Sequence, residues 1–483
     1  MNEIKSRIFA GIAWTSSGML FKTFLQLLQL LILVRMLRPE DFGLVAITYA
    51  IIYCLQTLSE SGISSVILHY KKISDVQRST LFWLNICVAV LVGVVLMVFA
   101  KSIAAFFSEA TLKELLMLSS VALILDALSL QVKAFGQKEM KFSVLAKIEV
   151  ISALAAFCVA VSSALMGFGA FSLILGVLVS SFIGCVLAWL WLADGWRPEL
   201  SFRWKEVRGM VRFGIYMMGT NLINTVNSQL DIWFLGRVGS SGAVGGYGVS
   251  KDINMRIVQV INPVVTRVSS PLFASFQDNN VELRNIYRQI LRLIAVVLMP
   301  IYIGCFLYSD EVVYLMMGGE WIEYSSIFGA LALWGLYRGL INPIGGLLIA
   351  KGQANRSFYW NVFIFLLLIP LLYSSSILGG VSMVAYMFAG LGLILYWPAW
   401  RLLVYPSIKL DFNGYFNCHF SPFLISLISV GGGRIIFDLC AVSEPWFWIV
   451  CLFLSGVLYL FITSLFNPKL VGDFSNFYRM LKK

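Results

Sequence analysis

Residues 81–100 read LFWLNICVAVLVGVVLMVFA, from Leu81 to Ala100, and no charged residue interrupts them. About 18 or more apolar residues in a row are enough to cross a bilayer as a helix. Lipid offers the backbone no hydrogen-bond partner, so only helices and closed barrels can span it. The run shows no period-2 alternation, which selects the helix. Comparable runs fill the rest of the chain. They predict spans near 10–34, 42–68, 80–100, 114–133, 148–167, 171–193, 213–236, 245–270, 290–309, 325–350, 358–378, 381–400, 421–440 and 446–466. The spans near 213–236 and 245–270 are the most polar. Composition agrees: 59% of the 483 residues are hydrophobic, 13% are charged, and mean hydropathy is +0.85. A soluble chain of this length would need far more polar surface. The expected fold class is an all-α polytopic membrane protein of about fourteen transmembrane helices. The opening MNEIKSRIFAGIAW does not read as a cleavable signal, because its apolar run is too long and no small-residue cleavage site follows.

Basic residues set the expected orientation. With the N-terminus in the cytoplasm, the inner loops hold 25 of the 36 Lys and Arg, and the outer loops hold five: Arg35, Arg38, Lys101, Lys113 and Arg237. Six lie within spans: Lys22, Lys251, Arg256, Arg267, Arg338 and Arg434. Both termini are therefore expected on the cytoplasmic side. The net charge of +11 needs no nucleic acid to explain it; basic inner loops face the anionic headgroups of membrane lipids. The eight cysteines fall in or beside apolar runs without a C-x-x-C, and read as small packing residues. His69 and His419 lie in opposite halves of the chain, so no metal site is expected.

The chain repeats itself. A shift of 202 residues lays the first span on the seventh, Arg35 on Arg237 and Gly43 on Gly245. Further on, Phe135-Gly136-Gln137 resembles Lys351-Gly352-Gln353, and Gly167 resembles Gly379 before a short outer turn. The order is direct, which predicts a parallel repeat of two six-helix lobes about an axis along the membrane normal. The expected organisation is an N-terminal lobe over 1–200, a C-terminal lobe over 201–412, and two trailing helices with a cytoplasmic tail over 413–483.

Polar residues inside the spans carry the functional expectation, because ionisable groups in lipid must face a cavity or a partner. At helical spacing, Thr15, Gly18, Lys22, Gln26 and Gln29 share a face, as do Tyr49, Tyr53, Gln56, Glu60 and Ser64. Ser119, Asp126, Ser129 and Lys133 form another stripe. In the second half, Asn221, Asn224, Ser228 and Asp231 line up. So do Lys251, Met255, Gln259, Asn262 and Thr266, with Asp252, Arg256 and Arg267 on one flank and Pro263 predicting a kink. Arg338 and Asn342 precede Pro343. These stripes occupy matching members of the two halves, which predicts a shared hydrated cavity. Its candidate cations are Lys22, Lys251, Arg256, Arg267 and Arg338; Arg grips phosphate with a forked set of donors and Lys acts as a point charge. Its candidate polar face is Gln26, Gln29, Tyr53, Gln56, Asn221, Asn224, Gln259, Asn262 and Asn342, groups suited to sugar hydroxyls. The acids Glu60, Asp126, Asp231 and Asp252 are candidates for coupling to protons or sodium, or for balancing charge. Against this stands simple pairing: Arg434 and Asp438, four residues apart, read as a local ion pair, and Lys101, Lys133 and Lys351 read as snorkelling at helix ends.

The first outer turn reads Val34-Arg35-Met36-Leu37-Arg38-Pro39-Glu40-Asp41-Phe42-Gly43-Leu44. It resembles the aR-x-L-x-P-x-D-F-G turn of bacterial polysaccharide exporters within the multidrug/oligosaccharidyl-lipid/polysaccharide superfamily. Gly11-Ile12-Ala13-Trp14 upstream and Ser61-Gly62 downstream match that pattern too, and the colanic-acid and O-antigen flippase branch is nearest. The resemblance implies two lobes in a V shape in the inner membrane. It implies a cargo of undecaprenyl-diphosphate-linked oligosaccharide, moved from the cytoplasmic to the periplasmic leaflet; alternating access between the lobes is the expected mechanism. A polysaccharide polymerase and chain-length machinery are the implied protein partners. No cofactor and no enzymatic step are expected.

Two alternatives stay open on sequence. A multidrug or cation antiporter of the same fold would prefer an acidic, aromatic pocket with few cations; Glu60 and Asp126 keep it in play. A membrane glycan polymerase or ligase would need catalytic groups outside the membrane. The longest outer loop, 310–324, carries Asp310, Glu311, Glu320 and Glu323 but no nucleophile–base set, and reads as solvated.

Overall fold

The computed structural model describes residues 18, 21–60, 62–440 and 447–466. Thr15 and the C-terminal tail lie outside the described residues, as does the side chain of Arg267. All regular structure described is helical. In chain order it comprises α1 (Phe21–Val34), α2 (Pro39–Ser59), α3 (Ile63–His69), α4 (Asp75–Phe107), α5 (Leu112–Lys138), α6 (Phe142–Leu165), α7 (Ala170–Leu192), α8 (Trp204–Val238) and α9 (Ser241–Ser275). There follow α10 (Asn280–Leu307), α11 (Ser309–Met317), α12 (Ser325–Ile341), α13 (Pro343–Ala350), α14 (Ala354–Ala399), α15 (Tyr405–Ile408), α16 (Phe412–Cys440) and α17 (Phe447–Phe466).

Among the described residues, ten helical segments are long and apolar enough to cross a membrane. One of them holds two of the expected spans, because α14 breaks at Gly379 and Gly380, where the backbone leaves the helical region and Gly380 has φ +59°. Three more spans come from α1, described over its last part, and from the long but polar α8 and α9. The chain is thus a multi-pass membrane protein with about fourteen spans.

Two expectations change in detail. The span near 42–68 is not one helix: Gly62, at φ +67°, separates α2 from α3, and a side chain there would overlap the Gly214 backbone. The segment 310–324 is not an open loop. It forms α11 and a 3-10 turn, Gly319–Tyr324, with Trp321 buried. Arg434 meets Asp438 as expected, at 3.2 Å, but also Glu311 at 2.5 Å, and so ties α16 to this segment.

The turn at 34–44 shows why its residues matter. Pro39 starts α2, where a missing N–H costs nothing. The Arg38 backbone N–H donates to the Asp41 carboxylate at 3.2 Å, and the Ala170 N–H that opens α7 donates to its other oxygen at 2.9 Å. Gly43 lets α2 and α9 touch through their backbones. A Cβ on Gly43 would overlap the Ser241 carbonyl, and one on Gly245 would overlap the Pro39 carbonyl. Ser241 and Gly245 are the 202-residue counterparts of Pro39 and Gly43, so the crossing is reciprocal. The repeat read from the sequence is expressed in space at this contact.

The helices divide into two compact units, Met1–Gly248 with Ile364–Ser376, and Val249–Phe363 with Ile377–Lys483. In the first, α4, α5, α6 and α7 pack side by side and α2 lies against α5 and α8. In lipid such packing rests on close van der Waals fit between small residues. Gly176 is an instance: a Cβ there would stand 3.0 Å from that of Ala160. In the second unit α10 is central, against α12 and α16, with Leu291, Leu298 and Tyr302 fully buried. The Tyr302 hydroxyl donates to the Asn254 carbonyl at 2.7 Å, and Gly335 leaves room for its ring.

Candidate functional site

In the first unit the structure gathers charges from four helices. Asp126 and Lys133 stand seven residues apart on α5 and therefore on one face. The Asp126 carboxylate faces the Lys133 ammonium and the Ser181 hydroxyl of α7, with Lys22 of α1 beyond. Glu60, which closes α2, brings a second carboxylate to bear on Asp126. Lys133 is also within the field of Glu149 on α6, and Glu149 lies 3.6 Å from the Lys22 ammonium. Gly184 makes the space for this arrangement, since a Cβ there would stand 3.4 Å from Lys133 Nζ and 3.3 Å from Ser152 Oγ. Among the described residues the group thus holds three acids and two lysines. Charges in a membrane interior persist when they are paired or hydrated. An acid in excess is a place for a proton or a cation.

Lys22, Glu60 and Asp126 were legible from helical spacing. Lys133, which spacing places on the stripe of Asp126, is half-buried in the field of that carboxylate instead of reaching a helix end. Glu149 and Ser181 were missed. The available signal for Glu149 was an acidic residue at the edge of an otherwise apolar span.

The remaining polar candidates of this unit are covered to different degrees. Gln26, Tyr53, Asn221 and Asn224 are exposed, and Gln29 and Gln56 are half-buried. A hydrogen bond of 3.2 Å between Thr57 and Thr225 joins α2 to α8 beneath them. Asp231 is different. It is 3% exposed and accepts hydrogen bonds from the Tyr247 hydroxyl at 2.7 Å and the Ile232 N–H at 2.9 Å. It braces α8 against the start of α9 instead of facing the same space as Asn221 and Asn224.

The second unit carries its own set. Arg256 donates through Nε and Nη2 to Asp252 Oδ2, at 3.0 and 2.8 Å, one helical turn back along α9. Lys251 and Asn262 are half-buried and Gln259 is exposed. Arg338 near the end of α12 is exposed, while the Asn342 side-chain amide nitrogen is buried without a hydrogen-bond partner. Asn254, which spacing had not singled out, is fully buried and donates to the carbonyls of Ser250 and Phe328 at 2.9 and 3.2 Å. The two histidines sit apart: His69 stacks on Phe213, and His419 meets the Tyr396 hydroxyl at 2.7 Å.

The sequence profile of a family described as polysaccharide biosynthesis protein matches residues 32–326, more than half of the chain. The chain belongs to this family. Among curated relatives, it is 30% identical over 427 residues to the teichuronic acid biosynthesis protein TuaB of Bacillus subtilis (strain 168), covering 88% of each chain. It is 29% identical over 425 residues to the lipopolysaccharide biosynthesis protein WzxC of Escherichia coli (strain K12), covering 88% of this chain and 86% of that one. Among solved structures it is similar to the lipid II flippase MurJ in an inward closed conformation. The TM-score is 0.78 at 15% identity, over 95% of this chain and 99% of that one. An inward-facing multidrug resistance MATE family transporter of the MOP superfamily matches with a TM-score of 0.58 at 13% identity, over 88% and 96% of the two chains. The fold is therefore that of these transporters, which accords with the exporter family that the turn at 34–44 resembles.

Proposed function

We propose that this protein is a flippase that carries a lipid-diphosphate-linked oligosaccharide, a repeat unit of a surface polysaccharide, across the bacterial inner membrane. The observation that carries the reading is membership of a polysaccharide biosynthesis family in a chain folded like a flippase of another lipid-linked sugar. Relatives named for lipopolysaccharide and teichuronic acid biosynthesis support it. In this reading the lobes 1–200 and 201–412 alternate access, with both termini in the cytoplasm, and the chain is a transporter, not an enzyme. Lys22, Lys251, Arg256, Arg267 and Arg338 supply cations for the diphosphate, with Arg338 foremost because it is exposed and Arg256 is already engaged by Asp252. Gln26, Gln29, Tyr53, Gln56, Asn221, Asn224, Gln259, Asn262 and Asn342 meet the sugars. Among the acids, Asp126 with Glu60 is the coupling site for a proton or sodium, on the ground of its surplus carboxylate.

The test is reconstitution of the purified protein into vesicles holding a fluorescent polyprenyl-diphosphate oligosaccharide. Exposure of the glycan to a lectin that cannot cross the membrane is then followed. The expected result is protein-dependent exposure of the inner-leaflet pool. A rate equal to that of protein-free vesicles defeats the reading. The antiporter alternative, favoured by the acids around Asp126, is separated by drug-resistance assays in cells expressing the protein.

A further inference from the structure

The segment between α3 and α4, together with the C-terminal end of α5, lines an open pocket of about 660 Å³ in the first unit. That volume lies within the roughly 300–1,000 Å³ of small-molecule sites. Lys71, Lys72 and Lys138 line it, with Ser74, Phe135 and Glu139. Lys71 and Lys72 are exposed, and neither has an ion-pair partner among the described residues. Lys138 is half-buried and donates to the Tyr70 carbonyl at 2.6 Å. That bond fixes its ammonium at the rim and leaves two of its three N–H groups for another acceptor.

The acid of the lining acts on Lys138 through space but is shared with a lysine outside the pocket. Glu139 lies 2.8 Å from Lys141, which also pairs with Asp194. A further cation stands behind the Phe135 wall. The Arg78 guanidinium stacks 4.0 Å from the Phe135 ring centre and 3.9 Å from that of Trp196, and its Nε is buried without a hydrogen-bond partner. Asp75, Glu139 and Asp194 act on Arg78 through space. The start of α4 contributes little, because Ser74 and Gln77 close it with reciprocal hydrogen bonds of 3.2 and 3.0 Å. The positive character of the cavity is thus lysine character.

We propose that this cavity binds a phosphate group, as a mono- or diphosphate ester. Three ammonium groups on one lining, each with rotatable donors, suit the tetrahedral, multiply charged acceptor. The cavity lies at helix ends, the depth of lipid headgroups in a spanning protein. The same phosphate chemistry can therefore arrive on an anionic lipid or on a soluble compound. This site lies apart from Lys22 and the acids of α5, and the inference does not depend on the transported cargo.

The experiment titrates inorganic diphosphate into the purified full-length protein in a neutral detergent. Wild type is compared with the double variant Lys71→Gln/Lys72→Gln and with Lys147→Gln, an exposed lysine outside the cavity. Both cavity lysines are exposed, so the double variant is expected to fold, and its thermal unfolding is measured alongside. The expected result is saturable binding by wild type and Lys147→Gln, weakened at least tenfold in the double variant, since each lost charged hydrogen bond costs on the order of tenfold. A second arm repeats the titration in nanodiscs of phosphatidylcholine with and without phosphatidylglycerol. Weaker diphosphate binding with phosphatidylglycerol assigns the site to a lipid headgroup, and unchanged binding assigns it to a soluble phosphate compound. No saturable binding by wild type, or equal affinity in the double variant, overturns the proposal.

Discussion

Asp126 and Lys133 share a face of α5 and are both half-buried, whereas the Lys22–Glu149 pair is wetter, with side chains 37% and 51% exposed. That difference sets the size of the expected effects. Asp126 and Lys133 act on each other through space, and removing one of two half-buried charges leaves the other less well compensated, while an exposed ion pair is worth about 0–1 kcal/mol. Lys133→Met is therefore expected to lower the unfolding temperature in detergent clearly, and Lys22→Met to change it little. Asp126→Asn together with Lys133→Met is expected to recover part of the loss, because neither charge is then left alone. Equal shifts for Lys22→Met and Lys133→Met would show that the two charges of α5 are coupled no more strongly than the Lys22–Glu149 pair. A smaller effect is expected outside the membrane. Asp411, just before α16, accepts the Gly414 N–H at 2.9 Å and pairs with Arg288 at 3.1 Å. The Gly414 N–H, with Arg288 beside it, holds the Asp411 carboxyl below its ordinary value. A carboxylate with a depressed folded pKa adds stability above its unfolded pKa of about 3.9 and loses it as pH falls through the folded value. Asp411→Asn should thus lower stability at neutral pH, with the gap to wild type closing in acid. A gap of constant size from pH 7 to pH 3 would assign the loss to packing instead. At this scale the sequence was readable where a polar side chain followed helical spacing, as with Asp126. It was misleading for Asp231, because spacing names a face of a helix but not the helix that covers it.

Between elements, the crossing of α2 and α9 is the contact most exposed to a single substitution. Gly43 and Gly245 each leave no room for a Cβ against the carbonyl of the facing helix. Gly43→Leu and Gly245→Leu must therefore push the helices apart. Both are expected to reduce the yield of folded, monodisperse protein severely. Gly219→Ala on α8 is the matched control, because nothing lies within 4 Å of where its Cβ would go. Ala in a helix interior is favoured over Gly by roughly 0.5–1 kcal/mol, so this variant should match or exceed wild type in unfolding temperature. Size-exclusion profiles and thermal unfolding read both outcomes, and a normally folded Gly43→Leu protein would contradict the backbone contact. The 202-residue offset made these glycines visible before any coordinates, because close backbone contact restricts residue choice at both partners. The apolar spans were legible for the same kind of reason, as lipid demands a continuous run. Less legible were the break at Gly62 and the helical character of residues 309–324. Both depend on tertiary contacts, with the Gly214 backbone in the first case and with Arg434 in the second.

For the whole molecule, the decisive question is which membrane-embedded cations serve the cargo and which hold the fold. Arg434 is committed to Glu311 and Asp438 and packs over Tyr308 and Phe437. Arg256 is committed to Asp252. Arg338 is exposed at the end of α12, in a chain whose charged residues are otherwise mostly kept to its loops. A cation placed so within a membrane span calls for water or an anionic ligand. In the flippase reading that ligand is the diphosphate, which a guanidinium holds through two parallel hydrogen bonds and an ammonium through one. Arg338→Glu should then abolish delivery of surface polysaccharide with protein level and unfolding temperature unchanged, and Arg338→Lys should retain a reduced rate. Arg434→Ala should instead lower protein level and unfolding temperature, with export falling in proportion to the protein that remains. Immunoblotting of the protein, set beside quantified surface glycan in a strain that depends on this protein, separates the two patterns. If Arg338→Glu supports normal glycan at normal protein level, Arg338 does not hold the cargo. The cationic contact would then have to come from Lys22, Lys251 or Arg267, on which the same comparison can be run one residue at a time.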